Sequence, residues 1–195
     1  MASLLRAGWF RWMLFLLLLL PLVLLIQALL NGDLGADPAK VIVKDLGFWA
    51  LFWLWLTLAV TPLRRLLGWR ELILYRRMLG LFAFFYGVLH LLAFATFLVG
   101  WRMDILLTEL TKRPYIIVGG LALLMLLPLA LTSTQRMQRR LGKRWKTLHS
   151  LIYPASLLVM LHFVWQIRSD FSQQLIFSIL LALLLGHRLY LKRRS

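Results

Sequence analysis

The sequence predicts an all-α membrane protein, a six-transmembrane-helix bundle with both termini in the cytoplasm. Three observations carry this expectation. Of the 195 residues 62% are hydrophobic and 15% charged, and mean hydropathy is +0.81. Several apolar runs approach or exceed about 18 residues, the length that crosses a bilayer. The basic residues sit mostly between those runs. Lys and Arg number 17 in the segments on the side of the termini against 6 in the other three loops, and cytoplasmic loops are the ones that concentrate positive charge. Residues 1–195 read as a single transmembrane domain.

The first helix is expected at residues 9–30, after Arg6 and interrupted by Arg11. Its basic start and leucine run resemble a signal peptide. Its length, and an end (Ile26-Gln27-Ala28-Leu29-Leu30) without a small-x-small cleavage site, favour a retained helix kinked at Pro21. A polar connection follows, where Asp37-Pro38 suits the start of a short segment along the membrane surface. The second helix, 46–63, carries Trp49, Trp53 and Trp55, and leads to a loop with five arginines. The third, 78–99, contains His90. A mixed-charge loop precedes the fourth, 114–132, whose Gly119-Gly120 would let a neighbour pack closely. The most basic stretch, Arg136 to Lys146, precedes the fifth helix, 147–167, with His149 and His162. A turn at 168–172 leads to the sixth, 173–191, with His187.

A net charge of +16 would suit nucleic acid, but its distribution among short loops is topological, so no nucleic-acid partner is expected. There is no cysteine, which excludes disulfides, iron–sulfur clusters, thiolate haem ligation and covalent haem attachment.

The histidines carry the chemistry. Counted from the cytoplasmic helix ends, His90 lies roughly 18 Å and His162 roughly 22 Å into the membrane. An imidazole at that depth is costly unless engaged, and marks a functional site. Two at matched depth on separate helices fit bis-imidazole haem ligation. Zinc ordinarily takes four ligands and lacks nearby Cys, Asp or Glu here. A proton relay would want a carboxylate within the predicted helices, and none falls there. His149 and His187 lie near the cytoplasmic ends. His187 reads as a headgroup-level side chain. His149 is a weaker candidate ligand, because thirteen residues on a straight helix place it about 140° around the axis from His162. A bend at Pro154 would change that angle.

Matching stretches along nearly the whole chain carry a family resemblance. They are Gly32-Asp33-Leu34-Gly35-Ala36-Asp37-Pro38, Arg76-Arg77-Met78-Leu79-Gly80-Leu81, Leu89-His90-Leu91 and Thr111-Lys112-Arg113-Pro114-Tyr115. In the second half they are Thr132-Ser133-Thr134-Gln135, Leu141-Gly142-Lys143-Arg144-Trp145, Leu148-His149 and Tyr153. With these the chain resembles the MsrQ (YedZ) family, within the ferric-reductase-like transmembrane group, whose distant relatives include NADPH oxidase and STEAP proteins. The resemblance implies an electron conduit in the bacterial inner membrane. It would carry electrons from the quinone pool, or a cytoplasmic flavin reductase, to the periplasmic molybdopterin reductase MsrP for repair of methionine sulfoxide. It also implies haem b, as one group or two, and FMN. By position His90, His149 and His162 match the family's histidines, while His187 matches none.

The larger oxidase relatives place two histidines on each of two helices. Here the inner position of the third helix is near Arg76-Arg77, which could pair with haem propionates or a flavin phosphate or could serve topology alone. Rival readings are a stand-alone ferric or oxygen reductase, a cofactor-free small transporter, and a scaffold whose basic loops bind anionic lipid.

Overall fold

The computed structural model describes residues 8–166 and 171–194. Arg6, the expected end of the fifth helix at residue 167 and most of the turn after it lie outside these. The described residues form nine α-helices: α1 (Gly8–Asn31), α2 (Pro38–Leu67), α3 (Ile73–Ala93), α4 (Met103–Lys112), α5 (Tyr115–Leu131), α6 (Gln135–Leu141), α7 (Lys143–His149), α8 (Ile152–Trp165) and α9 (Ser172–Arg194). A 3₁₀ turn, Arg70–Leu72, precedes α3, and a π-helical segment, Phe94–Val99, continues it. Among the described residues five helical segments are long and apolar enough to cross a membrane. A sixth span results if α4 and α5, bent by 104°, count as one. The chain divides into two compact units, Met1–Arg102 and Met103–Ser195.

In the first unit α2 begins where the sequence dictates. The Asp37 carboxylate accepts from the Lys40 backbone N–H at 3.1 Å, and Pro38 fills the first turn, where no donor is needed. The helix ends at Gly68, whose φ of +70° is a left-handed cap. α2 runs unbroken from Pro38, so the stretch expected as a separate short segment is continuous with the second helix. This extension also brings Asp45 into the helix, where its carboxylate bonds the Trp49 side chain. The expectation that no carboxylate falls within the helices is corrected there.

α3 returns antiparallel to α2, with Gly80 beside Thr57 and His90 beside Gly47. Leu51, Leu54, Trp55 and Leu58 of α2 and Phe82, Ala83 and Tyr86 of α3 form the buried seam. Thr57, buried among them, donates to the Trp53 carbonyl at 2.8 Å, so its hydroxyl is satisfied within its own helix. α1 is tied to this pair by Tyr86, which is 0% exposed. Its hydroxyl donates to the Leu18 carbonyl at 2.9 Å and accepts from the Leu22 N–H at 3.2 Å. Those two groups are ordinarily partners one turn apart. The phenol is inserted into the ladder beside Pro21, as a polar group at a helix distortion does. Leu16, Leu24 and Leu30 on α1 are exposed, an outward face that suits lipid acyl chains.

In the second unit α5 and α8 pack together, with Ala122 on one and Ala155, Ser156 and Met160 on the other buried. The loop expected at 100–113 contains α4, with an Arg113–Glu109 ion pair of 2.9 Å at its end. The expected fifth helix is interrupted at Ser150-Leu151, between α7 and α8. Pro154, in the first turn of α8, has no N–H for the Ser150 carbonyl and its ring crowds that carbonyl, which explains a break one turn upstream. The basic stretch, expected as a loop, holds two short helices separated by Gly142 at φ +51°.

Tyr86→Phe leaves the Leu18 carbonyl and the Leu22 N–H without their shared partner. The expected result is a loss of about 1–2 kcal/mol, read as a lowered midpoint in denaturant unfolding of the detergent-solubilised protein. An unchanged midpoint would show that α1 is held by apolar packing alone.

Candidate functional site

His90 and His162 are held in the same way, one in each unit. His90 lies three residues before the end of α3 and His162 three residues before the end of α8. His90 Nδ1 is 2.8 Å from the Val43 carbonyl on α2. His162 Nδ1 is 2.6 Å from the Tyr115 carbonyl at the start of α5. A carbonyl oxygen only accepts, so in each case Nδ1 carries the proton and donates it. In the neutral ring the lone pair then resides on Nε2, the nitrogen that a metal takes when the other is fixed by a backbone acceptor. The Tyr115 ring also meets the His162 ring edge-on, at 5.7 Å between centroids.

A glycine lies under each imidazole. A Cβ added to Gly47 would stand 2.9 Å from His90 Nδ1, and one added to Gly119 would stand 2.6 Å from His162 Nδ1. Neither contact can exist unless a ring moves. Gly120, next in sequence, has no such neighbour within 4 Å, so the close approach belongs to Gly119 alone.

His149 differs. It ends α7, and its ring stacks on the Trp145 indole with 3.9 Å between centroids. Thr132 Oγ1 donates to the Pro128 carbonyl at 2.6 Å, so at 3.1 Å it accepts from His149 Nε2. That places the proton on Nε2, the opposite tautomer to His90 and His162. Trp145 Nε1 donates to the Thr132 carbonyl at 3.0 Å. His149 is thus seated in a polar cluster joining the end of α5 to α7. The helix break also removes the straight-helix wheel on which its angle to His162 was reckoned. His187, half-buried near the end of α9, makes no polar contact among the described residues.

Arg76 is half-buried and Arg77 exposed in the first turns of α3. A cavity of about 360 Å³ at this basic loop is lined by Arg64, Arg65, Gly68 and Arg70, not by Arg76 or Arg77. Among the described residues no three His, Cys, Asp or Glu cluster as a metal site would require.

Haem demands a different donor set, and the residues present fit it. Two imidazoles within apolar helices each have the tautomer and ring orientation fixed by a backbone carbonyl, as a nitrogen ligand needs. The sequence pointed to these rings and to His149, but not to Val43, Gly47 and Tyr115 as partners of the first two or to Thr132 and Trp145 as partners of His149. One signal was available. Val43 and His90 are 47 residues apart, as are Tyr115 and His162.

The family model for the ferric reductase like transmembrane component matches residues 46–160. The chain is 49% identical over 162 residues to a Xanthomonas euvesicatoria protein named protein-methionine-sulfoxide reductase heme-binding subunit MsrQ, covering 83% of this chain and 74% of that one. Proteins of the same name from Xanthomonas campestris (50% over 165 residues, covering 85% and 75%) and Rhodospirillum rubrum (48% over 172 residues, covering 88% and 83%) are similarly close. No solved structure matches. The chain belongs to the ferric-reductase-like transmembrane family, in the branch that holds these MsrQ subunits.

Thr132→Val removes the bond to His149 and the bond to Pro128 while keeping the side-chain shape. It should cost about 1 kcal/mol, measured by denaturant unfolding in detergent. No loss would show that the indole stack alone seats His149.

Proposed function

We propose that the chain is the haem b electron-transfer subunit of a methionine sulfoxide reductase system. It would pass electrons from the quinone pool, or a cytoplasmic flavin reductase, to a periplasmic molybdopterin reductase of the MsrP kind. The observation that carries this reading is the matched seating of His90 and His162, in a chain about half identical to named haem-binding subunits. A haem, when bound, supplies a one-electron carrier; the chain's own residues do the rest. His90 and His162 would hold the haem iron, each offering Nε2 while its Nδ1–H is spent on a carbonyl. Ligation by two imidazoles suits electron transfer rather than oxygen activation.

His149 is proposed as a secondary ligand for a second haem, and it would have to release Thr132 to offer Nε2. FMN remains in the proposal on family resemblance alone, with Arg76 and Arg77 as anion partners, and no step is assigned to it. The inward placement of both termini rests on the distribution of Lys and Arg, and the bacterial inner membrane on the family resemblance. Residues 1–195 are proposed to act as one transmembrane domain, because the family match runs across the division between the two units.

The purified wild type should show a reducible b-type spectrum. His90→Ala and His162→Ala should each abolish the low-spin signal, and His149→Ala should leave it. Haem-to-protein stoichiometry on each variant measures this, and intact low-spin spectra in both His90→Ala and His162→Ala would sink the ligand assignment.

A further inference from the structure

We infer that Gly47 and Gly119 are positioning residues that set the plane and tautomer of the His90 and His162 imidazoles. The inference rests on the ligand reading proposed above and extends it to two residues that touch no iron. Gly47 follows Val43 by four residues, and Gly119 follows Tyr115 by four. In an α-helix the carbonyl of residue i already accepts from the N–H of residue i+4, and the side chain at i+4 leans back over that same turn. A side chain at 47 or 119 would therefore cover the carbonyl face to which the imidazole donates. Glycine uncovers it. The carbonyl then takes a second donor, the Nδ1–H of a ring whose edge lies against the helix backbone.

The distances agree. The added Cβ would fall 3.0 Å from His90 Cε1 and 2.8 Å from His162 Cε1, besides its contacts with the two Nδ1 atoms. The whole edge of each ring, not a single atom, occupies the space of the missing methyl. Glycine at mid-helix is ordinarily disfavoured relative to alanine, so its use at these two places needs a local cause.

The arrangement also occurs twice at one register. Val43, Gly47 and His90 shifted by 72 residues become Tyr115, Gly119 and His162. The residues whose carbonyls accept differ, Val against Tyr, while the glycine and the histidine are kept. What recurs is a backbone carbonyl, a gap above it and an imidazole across it. An imidazole so fixed cannot rotate about its Cβ–Cγ bond without losing its acceptor or striking the helix. Its Nε2 direction and the angle of its plane are set before any metal arrives. Hydrogen bonding at Nδ1 also makes Nε2 a stronger donor.

The test uses the full chain in detergent, as wild type and as Gly47→Ala, Gly119→Ala and Gly120→Ala. Gly47→Ala and Gly119→Ala should each lower haem affinity about 10–100-fold in titration of the apoprotein. They should also shift the low-spin ferric EPR signal, which reports the angle between ligand planes, and raise the midpoint potential as the imidazole becomes a weaker donor. Gly120→Ala should match the wild type in all three. EPR and affinity unchanged in Gly47→Ala and Gly119→Ala, with haem lost in His90→Ala and His162→Ala, would overturn this inference and leave the ligand reading standing. Haem retained in both histidine variants would overturn the ligand reading and this inference with it. A further measurement needs no variant to fold. Nitrogen-15 chemical shifts of the wild-type apoprotein should show Nδ1–H imidazoles at His90 and His162, and an Nε2–H form at either overturns the inference.

Discussion

Much of the structure depends on one kind of bond, an imidazole N–H donated sideways to a helix carbonyl that is already in use. A histidine placed among leucines is otherwise a liability, since its polar edge has no water to turn to. Satisfying it from the neighbouring backbone fixes how closely the two helices approach and in what register they slide. α2 and α3 in one unit, and α5 and α8 in the other, are each pinned at one end by such a bond. The apolar packing of the rest, with Trp55 buried in the first unit and Ala122 and Ala155 in the second, then needs only to be complementary.

Tyr86 and Thr132 apply the same economy elsewhere. Each brings one hydroxyl to a helix backbone distorted near a proline, Pro21 or Pro128, and each hydroxyl both donates and accepts. In a medium where polar groups must find partners within the protein, each hydroxyl is satisfied on helix backbone at or beside the proline.

The spans were legible in the sequence because hydropathy is a one-dimensional property, and the histidines stood out against it. Residues 9–30 and 173–191 emerged as helices almost at those limits, since leucine runs leave no other reading. The second helix was drawn too short because Lys40, Lys44 and Asp45 look like a loop, whereas the Asp37 cap and Pro38 start the helix before them. The fifth was drawn unbroken because a proline in a first turn disturbs the carbonyl four residues earlier rather than its own position. Gly119 was read as a place of close packing, which it is, but the object packed against it is a side chain 43 residues away. No local pattern reports that. Only comparison of the two halves of the chain at a fixed offset would have.

The interruption at Ser150-Leu151 separates two histidines that a continuous helix would have moved together. His162 belongs to α8 and to the backbone of α5, deep among apolar side chains. His149 belongs to α7, a short segment that also carries Lys143, Arg144 and Lys146. His149 and its indole seat, Trp145, ride on α7 together, so a pull on the charged residues of that segment by lipid headgroups would carry ring and seat as one and load the bond to Thr132, while His162 answers to the Tyr115 carbonyl.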